Sequence, residues 1–395
     1  MPTEKLKYID DDAKKGIKID WKKVKKKYKE LKCPEDVYNP SLVPFNDAKY
    51  FVCYSMRSVG KSTGWLLIGA ILHWMYGITT VYVRQMESMI LPKASKNMFS
   101  VVDQYGYIDK ITGGEYNGVC YKSRRWYFCR YDEAGEIESR SPDAFCFMCC
   151  INKATELKSA ANFPYGDLII FDEFVNIAYM PDEFVYFCDL VKTIIRDRQS
   201  PIVVMLSNNT DKESPYFYEM EIYNEVRDMQ PGDTITKTTE RGTRIYVQYE
   251  KPSEKKQGAL AVLNGLFFGF GNKRLGSITG EGWSIKPRQH IPQGAVWFVV
   301  QNLYIYHNGR HVKLDIVEHE ELGLCCFVHW ASKTYPDSVI LTTEDRTDPR
   351  YQYGIGTGRL AIMLRQMIAE NRIYYASDDL ASFVGSYYNS IPEVL

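Results

Sequence analysis

The chain has 395 residues, enough for two or three domains with cores of their own. Hydrophobic residues make up 45% and charged residues 25%, an ordinary balance for a soluble globular protein. The formal net charge is zero, which excludes a global basic field, so any contact with nucleic acid has to come from local patches.

Residues 1–33 are polar and lysine-rich. Asp20 reads as the N-cap of a helix that puts Trp21, Val24, Tyr28 and Leu31 on one face. That pattern suits a solvated helix docked on the body, or a basic arm touching DNA or a partner ring. The opening Met-Pro-Thr-Glu-Lys-Leu-Lys lacks the apolar core of a secretory signal. A strand over 48–56 is followed by a Gly-Lys-Ser loop and a helix over 62–76. The apolar stretch 65–76 is broken by His73 and is shorter than the roughly 20 residues a bilayer requires. A buried strand follows over 77–84, then several short strands within 115–151, among them 125–130 and 144–151. Cys146 and Cys149 have the spacing of half a zinc site, but Cys120 and Cys129 are wrongly spaced to complete it. The ten cysteines are therefore read as buried thiols of a reducing compartment. The 30 tyrosines are assigned to cores and interfaces.

Residues 167–173 read as a further buried strand. A helix over 180–196 follows, with Pro181 near its first position. The next strand, 201–206, ends in Ser207-Asn208-Asn209. Apolar strands alternating with helices imply a parallel sheet covered on both faces. Residues 211–280 read as a linker or small lid. Beyond them, Asn308-Gly309 between two strand-like runs signals a hairpin, with more strands over 322–330 and 338–343 and a helix over 359–371. The expected domains are an arm (1–33), an α/β phosphate-loop ATPase domain (34–212), a linker or lid (213–280) and a smaller C-terminal domain (281–395).

The loop carries the first chemistry. In G-x-x-x-x-G-K-[ST], Gly60 lets the backbone approach phosphates, Lys61 supplies a point charge, and Ser62 supplies a hydroxyl to Mg²⁺ at a helix N-terminus. The usual first glycine is Ser55, a departure at the least demanding position. Ser55, Arg57, Ser58, Val59, Gly60, Lys61, Ser62 and Thr63 are the candidate nucleotide-binding residues. The strand over 167–173 ends in two acids: Asp172 would hold Mg²⁺ through water, and Glu173 would polarise the attacking water. Asn208 and Asn209 would lie beside the nucleotide crevice at the strand ends. Arg196 and Arg198 would lie at the far end of their helix, within reach of a neighbouring subunit's γ-phosphate, as a trans arginine finger. Arg57 is the rival for that role, and Lys158 is a further candidate for a DNA or trans contact.

Taken together, Ser55-x-x-x-x-Gly60-Lys61-Ser62, Val81-Tyr-Val-Arg84, Leu168-Ile-Ile-Phe-Asp172-Glu173-Phe174 and Met205-Leu-Ser207-Asn208-Asn209, followed by Ser214-Pro-Tyr-Phe217, resemble the DNA-packaging ATPases, or encapsidation proteins, of small short-tailed bacteriophages. These are related to large terminase subunits. The likeness is best over about 48–218. It implies an ASCE-type ATPase, with an additional strand and a catalytic glutamate, that uses ATP and Mg²⁺. It also implies a homo-oligomeric ring, expected to be a pentamer, on the portal (connector) of an empty procapsid in the host-cell cytoplasm, pumping double-stranded DNA without a membrane partner. The C-terminal domain would be RNase H-like and vestigial as a nuclease. In this sequence the run 297–305 carries no acid, and Asp315, Glu344, Asp345, Asp378 and Asp379 are scattered. A terminase with an active nuclease, a helicase-type enzyme, and a portal-binding protein with a non-hydrolysing ATP site are the competing readings.

Overall fold

The computed structural model describes residues 18–35, 37–55, 59–91, 98–99, 102, 105–153, 163, 166–175, 182–196, 198, 201–208, 214–251, 289–292, 296–354, 358–370, 372–389 and 391. The chain divides into two compact units, one around each of two sheets.

The first unit opens with helix α1 (Trp21–Glu30), started by Asp20, whose carboxylate accepts from the backbone N–H groups of Lys22 and Lys23. Val24 and Tyr28 are buried on its inner face, and Trp21 stacks on Phe45 at 3.8 Å. Strand β1 (Tyr50–Ser55) then leads into helix α2 (Lys61–Tyr76). α2 is apolar on most sides because it is buried on most sides, and Gly77, in the left-handed region, stops it. That stop is why the next strand, β2 (Thr80–Arg84), starts three residues later than the apolar pattern suggests.

The other strands of the larger sheet are β3 (Gly118–Lys122), β4 (Arg125–Tyr131), β5 (Ile137–Arg140), β6 (Cys146–Cys150), β7 (Leu168–Asp172), β8 (Ile202–Asn208), β9 (Thr234–Thr238) and β10 (Arg244–Glu250). Their order is β3-β4-β6-β2-β7-β8-β1-β10-β9, with β5 paired to β4. From β6 to β10 every pairing is parallel. Strand β8 lies between the loop-bearing β1 and the acid-bearing β7, which is the additional strand of the ASCE arrangement. Cys146, Cys149 and Cys150 are buried free thiols within β6, and no cluster of three or more metal-ligating side chains occurs among the described residues.

Residues 211–280 are more than a linker. They supply β9 and β10, and β10 pairs with β1 in parallel along its whole length. The signal there is the alternation of buried Ile245, Val247 and Tyr249 with half-exposed polar neighbours. Residues 252–288 of that segment lie outside the described residues.

The second unit has strands β11 (Trp297–His307), β12 (Arg310–His319), β13 (Gly323–Ala331), β14 (Ile340–Thr342), β15 (Tyr351–Tyr353) and β16 (Ile373–Tyr375). β11, β12 and β13 form an antiparallel meander, β14 runs parallel to β11, and β15 runs parallel to β14. This is the RNase H-like strand order, with β16 added beside β13. Asn308 and Gly309 both have positive φ, as a type I′ turn requires. Two helices, Arg359–Ala369 and Asp378–Asn389, pack on the face lined by Leu303, Ile305, Leu314 and Val328. No helix among the described residues is long and apolar enough to cross a membrane.

His73 gives the first unit an acid-sensitive point. It is buried in the last turn of α2 against Phe128 and Phe145, with Nδ1 3.2 Å from the Ile78 carbonyl oxygen. Burial pushes its pKa down from 6.5 to about 4. The unfolded chain therefore takes up this proton first, and stability falls as pH drops from 6.5 towards 4, by up to about 3 kcal/mol from this group. A His73→Gln variant should show a flatter loss of melting temperature across that window. An identical slope would place the acid sensitivity elsewhere.

Candidate nucleotide site

The loop after β1 ends at Gly60, which has φ +73°. A β-carbon there would lie 3.0 Å from the Val37 α-carbon, so glycine is required both by conformation and by space. Val59 accepts from the Tyr38 N–H at 2.9 Å, and Tyr38 Oη donates to Gln248, whose amide in turn donates to Glu250. Tyr28 of α1 donates to the Tyr38 carbonyl at 3.1 Å. The strap over 37–39 thus ties the loop both to α1 and to β10. A cavity of about 340 Å³ opens beside the strap, lined in part by Tyr28, Lys29, Pro34, Val37 and Asn39.

Lys61 is 6% exposed, and its ammonium donates to Ser55 Oγ at 2.5 Å. Ser55 is fully buried at the end of β1, in register with Asn208 on β8 and Glu250 on β10. The serine that breaks the sequence pattern is thus a hydrogen-bond acceptor for the loop lysine, a contact glycine could not make. Burial raises the pKa of Glu250, opposed by its hydrogen bond from Gln248 and by the Lys61 charge. Burial likewise pushes the Cys53 thiol up to about 12 against the pull of Lys61.

Ser62 and Thr63 lie in the first turn of α2, and Ser62 Oγ donates to Asp172 Oδ2 at 2.7 Å. The same carboxylate oxygen accepts from Tyr82 Oη and lies 3.3 Å from Arg84 Nη1. Arg84 Nη2 donates to Glu173 Oε2 at 2.6 Å. Glu173 itself has φ +58°, and its N–H donates to Asp172 Oδ1 at 3.0 Å. The next residue, Phe174, donates its N–H to the Leu206 carbonyl, which fixes the turn on β8. Burial, and next the Asp172 charge, push the Tyr82 phenol well above its usual pKa. Hydroxyl and carboxylate oxygens meeting at a helix N-terminus are the hard donors Mg²⁺ takes, so Ser62 and Asp172 fit that ion. Lys61 with the Gly60 turn fits a phosphate group.

Arg84 and Tyr82 are the site residues that the motif reading missed as participants. Both come from β2, which pairs with β7 in parallel and so brings their side chains to the acidic end of that strand. Their signal in the sequence is an arginine ending a buried apolar strand, which is costly unless it finds a carboxylate.

Asn208 ends β8 beside Ser55, on the expected edge. Arg198 sits at the opposite edge and is anchored within its own chain. Its Nε donates to Asp167 Oδ1 at 2.7 Å, and its Nη2 donates to the Gly166 and Ile194 carbonyls. Through those bonds Arg198 holds the start of β7. Arg196, exposed just after helix α3 (Glu183–Ile195), has φ +47°. Arg57, Ser58, Lys158 and Asn209 lie outside the described residues.

The strand order is that of the ASCE class of phosphate-loop folds, with Lys61 and Ser62 in the first turn of α2 and the tandem acids at the end of β7, all at one edge of the sheet. Among solved structures the chain is similar to the Phi-28 gp11 DNA packaging motor, at 14% identity and TM-score 0.53, over 91% of this chain and 98% of that one. It is likewise similar to the bacteriophage Phi-29 viral genome packaging motor assembly, at 15% identity and TM-score 0.51, over 88% and 97%. The chain thus has the fold of phage DNA packaging motor proteins over most of its length. No protein-family model and no curated protein matches the sequence.

Arg84 supplies the positive charge between Asp172 and Glu173. Arg84→Ala should cost about 2–3 kcal/mol in metal-free buffer, because two adjacent carboxylates lose their shared partner. Added Mg²⁺ should recover part of that deficit in a thermal melt. A deficit that Mg²⁺ leaves unchanged would mean that the ion does not take Arg84's place beside Asp172.

Proposed function

We propose that this protein hydrolyses ATP with Mg²⁺ and uses the energy to drive viral double-stranded DNA into a procapsid. The observation that carries the reading is the 2.7 Å contact of Ser62 with Asp172, which brings together the loop hydroxyl and the strand carboxylate that would hold one cation, with Glu173 next to them. A dead or chance loop has no need of that convergence. The shared fold with phage packaging motor proteins supplies the setting.

In this mechanism Lys61 exchanges Ser55 for oxygens of the β- and γ-phosphates. Val59, Gly60 and the first turn of α2, including Thr63, present backbone N–H groups to them. Ser62 and Asp172 would hold Mg²⁺, which would supply positive charge to offset that developing on the phosphates. Arg84 holds Glu173 at rest, and release of that ion pair lets the carboxylate orient the lytic water. Asn208 faces the same edge and positions water or the γ-phosphate. The protein works as a homo-oligomeric ring, a pentamer, on the portal, transiently recruited there from the host-cell cytoplasm. Arg196 and Arg198 are the candidates for the trans finger, with Arg57 as their rival. The C-terminal unit, whose first strand β11 carries no acid, docks on DNA or the portal and does not cleave.

Steady-state ATP hydrolysis tests this reading. Turnover should rise with double-stranded DNA, and Glu173→Gln should lower it at least 100-fold while nucleotide binding is kept. Equal turnover in the variant would remove Glu173 from the chemistry and overturn the mechanism.

A further inference from the structure

We infer that the outer face of α1 binds the phosphate backbone of duplex DNA. Residues 18–32 hold eight lysines (18, 22, 23, 25, 26, 27, 29 and 32) against two acids, Asp20 and Glu30, a net +6 in a chain whose total is zero. The six lysines within the helix itself divide into two sets. Lys25 and Lys27 are turned to the body, where they donate to the carbonyls of Val43 and Lys110 at 2.9 Å. Lys22, Lys23, Lys26 and Lys29 are exposed. Lys23 faces Asp20 at 3.7 Å, but both groups are in solvent, where such a pair contributes little.

Lys22, Lys26 and Lys29 recur at helical spacing, so they form a row of about 10 Å along one side of α1. Duplex DNA presents about six charges over that length. The type of residue also selects the partner. A protein interface is anchored by buried aromatic or arginine side chains, and α1 turns its own aromatics, Trp21 and Tyr28, inward onto Phe45 and the Tyr38 carbonyl. What faces outward is lysine, a compact point charge suited to phosphate and without the planar fork that reads base edges. The contact is therefore electrostatic and independent of base sequence. The helix holds this row without help from a ligand, since its Asp20 cap and its packing on α2 fix it. The assignment deepens the proposed function and rests on it for the choice of DNA, but its test requires no ATP turnover.

The test is equilibrium binding of a fluorescent duplex of arbitrary sequence, followed by anisotropy over a salt series without nucleotide. Lys22→Gln/Lys23→Gln/Lys26→Gln keeps good helix formers and removes three charges, two from the row and one from its exposed neighbour Lys23. Its slope of log affinity against log salt should be shallower by about two to three, with affinity at low salt reduced at least tenfold. The matching triple Lys→Arg variant should restore both, which separates charge from folding. Basal ATP turnover should be equal in all three proteins. Unchanged slope and affinity in the Gln variant, or no duplex binding by the wild type, would overturn the inference. So would tighter binding to an RNA duplex of the same sequence, or failure of the Arg variant to rescue. Loss of ATP turnover in the wild type would count only against the proposed function.

Discussion

The hydrogen bond from Ser62 to Asp172 is the constraint on which the site depends. One partner starts the helix after β1 and the other ends β7, yet β1 and β7 are not neighbours. Strand β8 separates them, so the contact forms only when three parallel strands lie in the register observed. Parallel pairing puts all three carboxyl ends on one edge, where α2 also begins. A serine hydroxyl and a carboxylate brought together at a helix N-terminus stabilise the helix end, and they have a second use. Their shared property is affinity for a hard cation beside a phosphate.

The same edge balances its charges within the chain. Lys61 is nearly buried and leans on Ser55, while Asp172 and Glu173 lean on Arg84. In the proposed mechanism each of these contacts involves a group needed elsewhere, so each partner would have to be exchanged. Ser55 then has a reason to replace the usual glycine. It accepts from the lysine in a buried place where an uncompensated ammonium would be costly. The left-handed Glu173 adds a local cost offset by its bond to Asp172 and by the Phe174–Leu206 tether.

How much of this was legible in the sequence follows the range of each interaction. β1 with α2, β7, β8 and the Asn308-Gly309 hairpin are encoded locally, by apolar runs, a glycine stop or a turn pair, and each lies within a few residues of its expected place. Ser62 and Asp172 were recognisable because their motifs are local too. Arg84 and Tyr82 were hidden as participants because their partners lie about ninety residues away and only the order of strands brings them together. β10 was obscured because a half-buried edge region alternates apolar with polar residues amid glycines and charges, a texture shared with loops. Arg198 lies at the expected edge, but two of its three bonds to its own chain depend on Asp167 and Gly166, which no local pattern pairs with it.

The most direct test of the central claim, that Ser62 and Asp172 make one cation site within an ATP-binding loop, is calorimetric binding of ATP with Mg²⁺ and with a chelator. The wild type should bind ATP at least tenfold more tightly with the ion, and Ser55→Gly should keep that dependence. In Ser62→Ala and Asp172→Asn the gain from Mg²⁺ should nearly vanish while metal-free binding persists through Lys61. No ATP binding by the wild type, or an undiminished Mg²⁺ effect in both variants, would contradict the site.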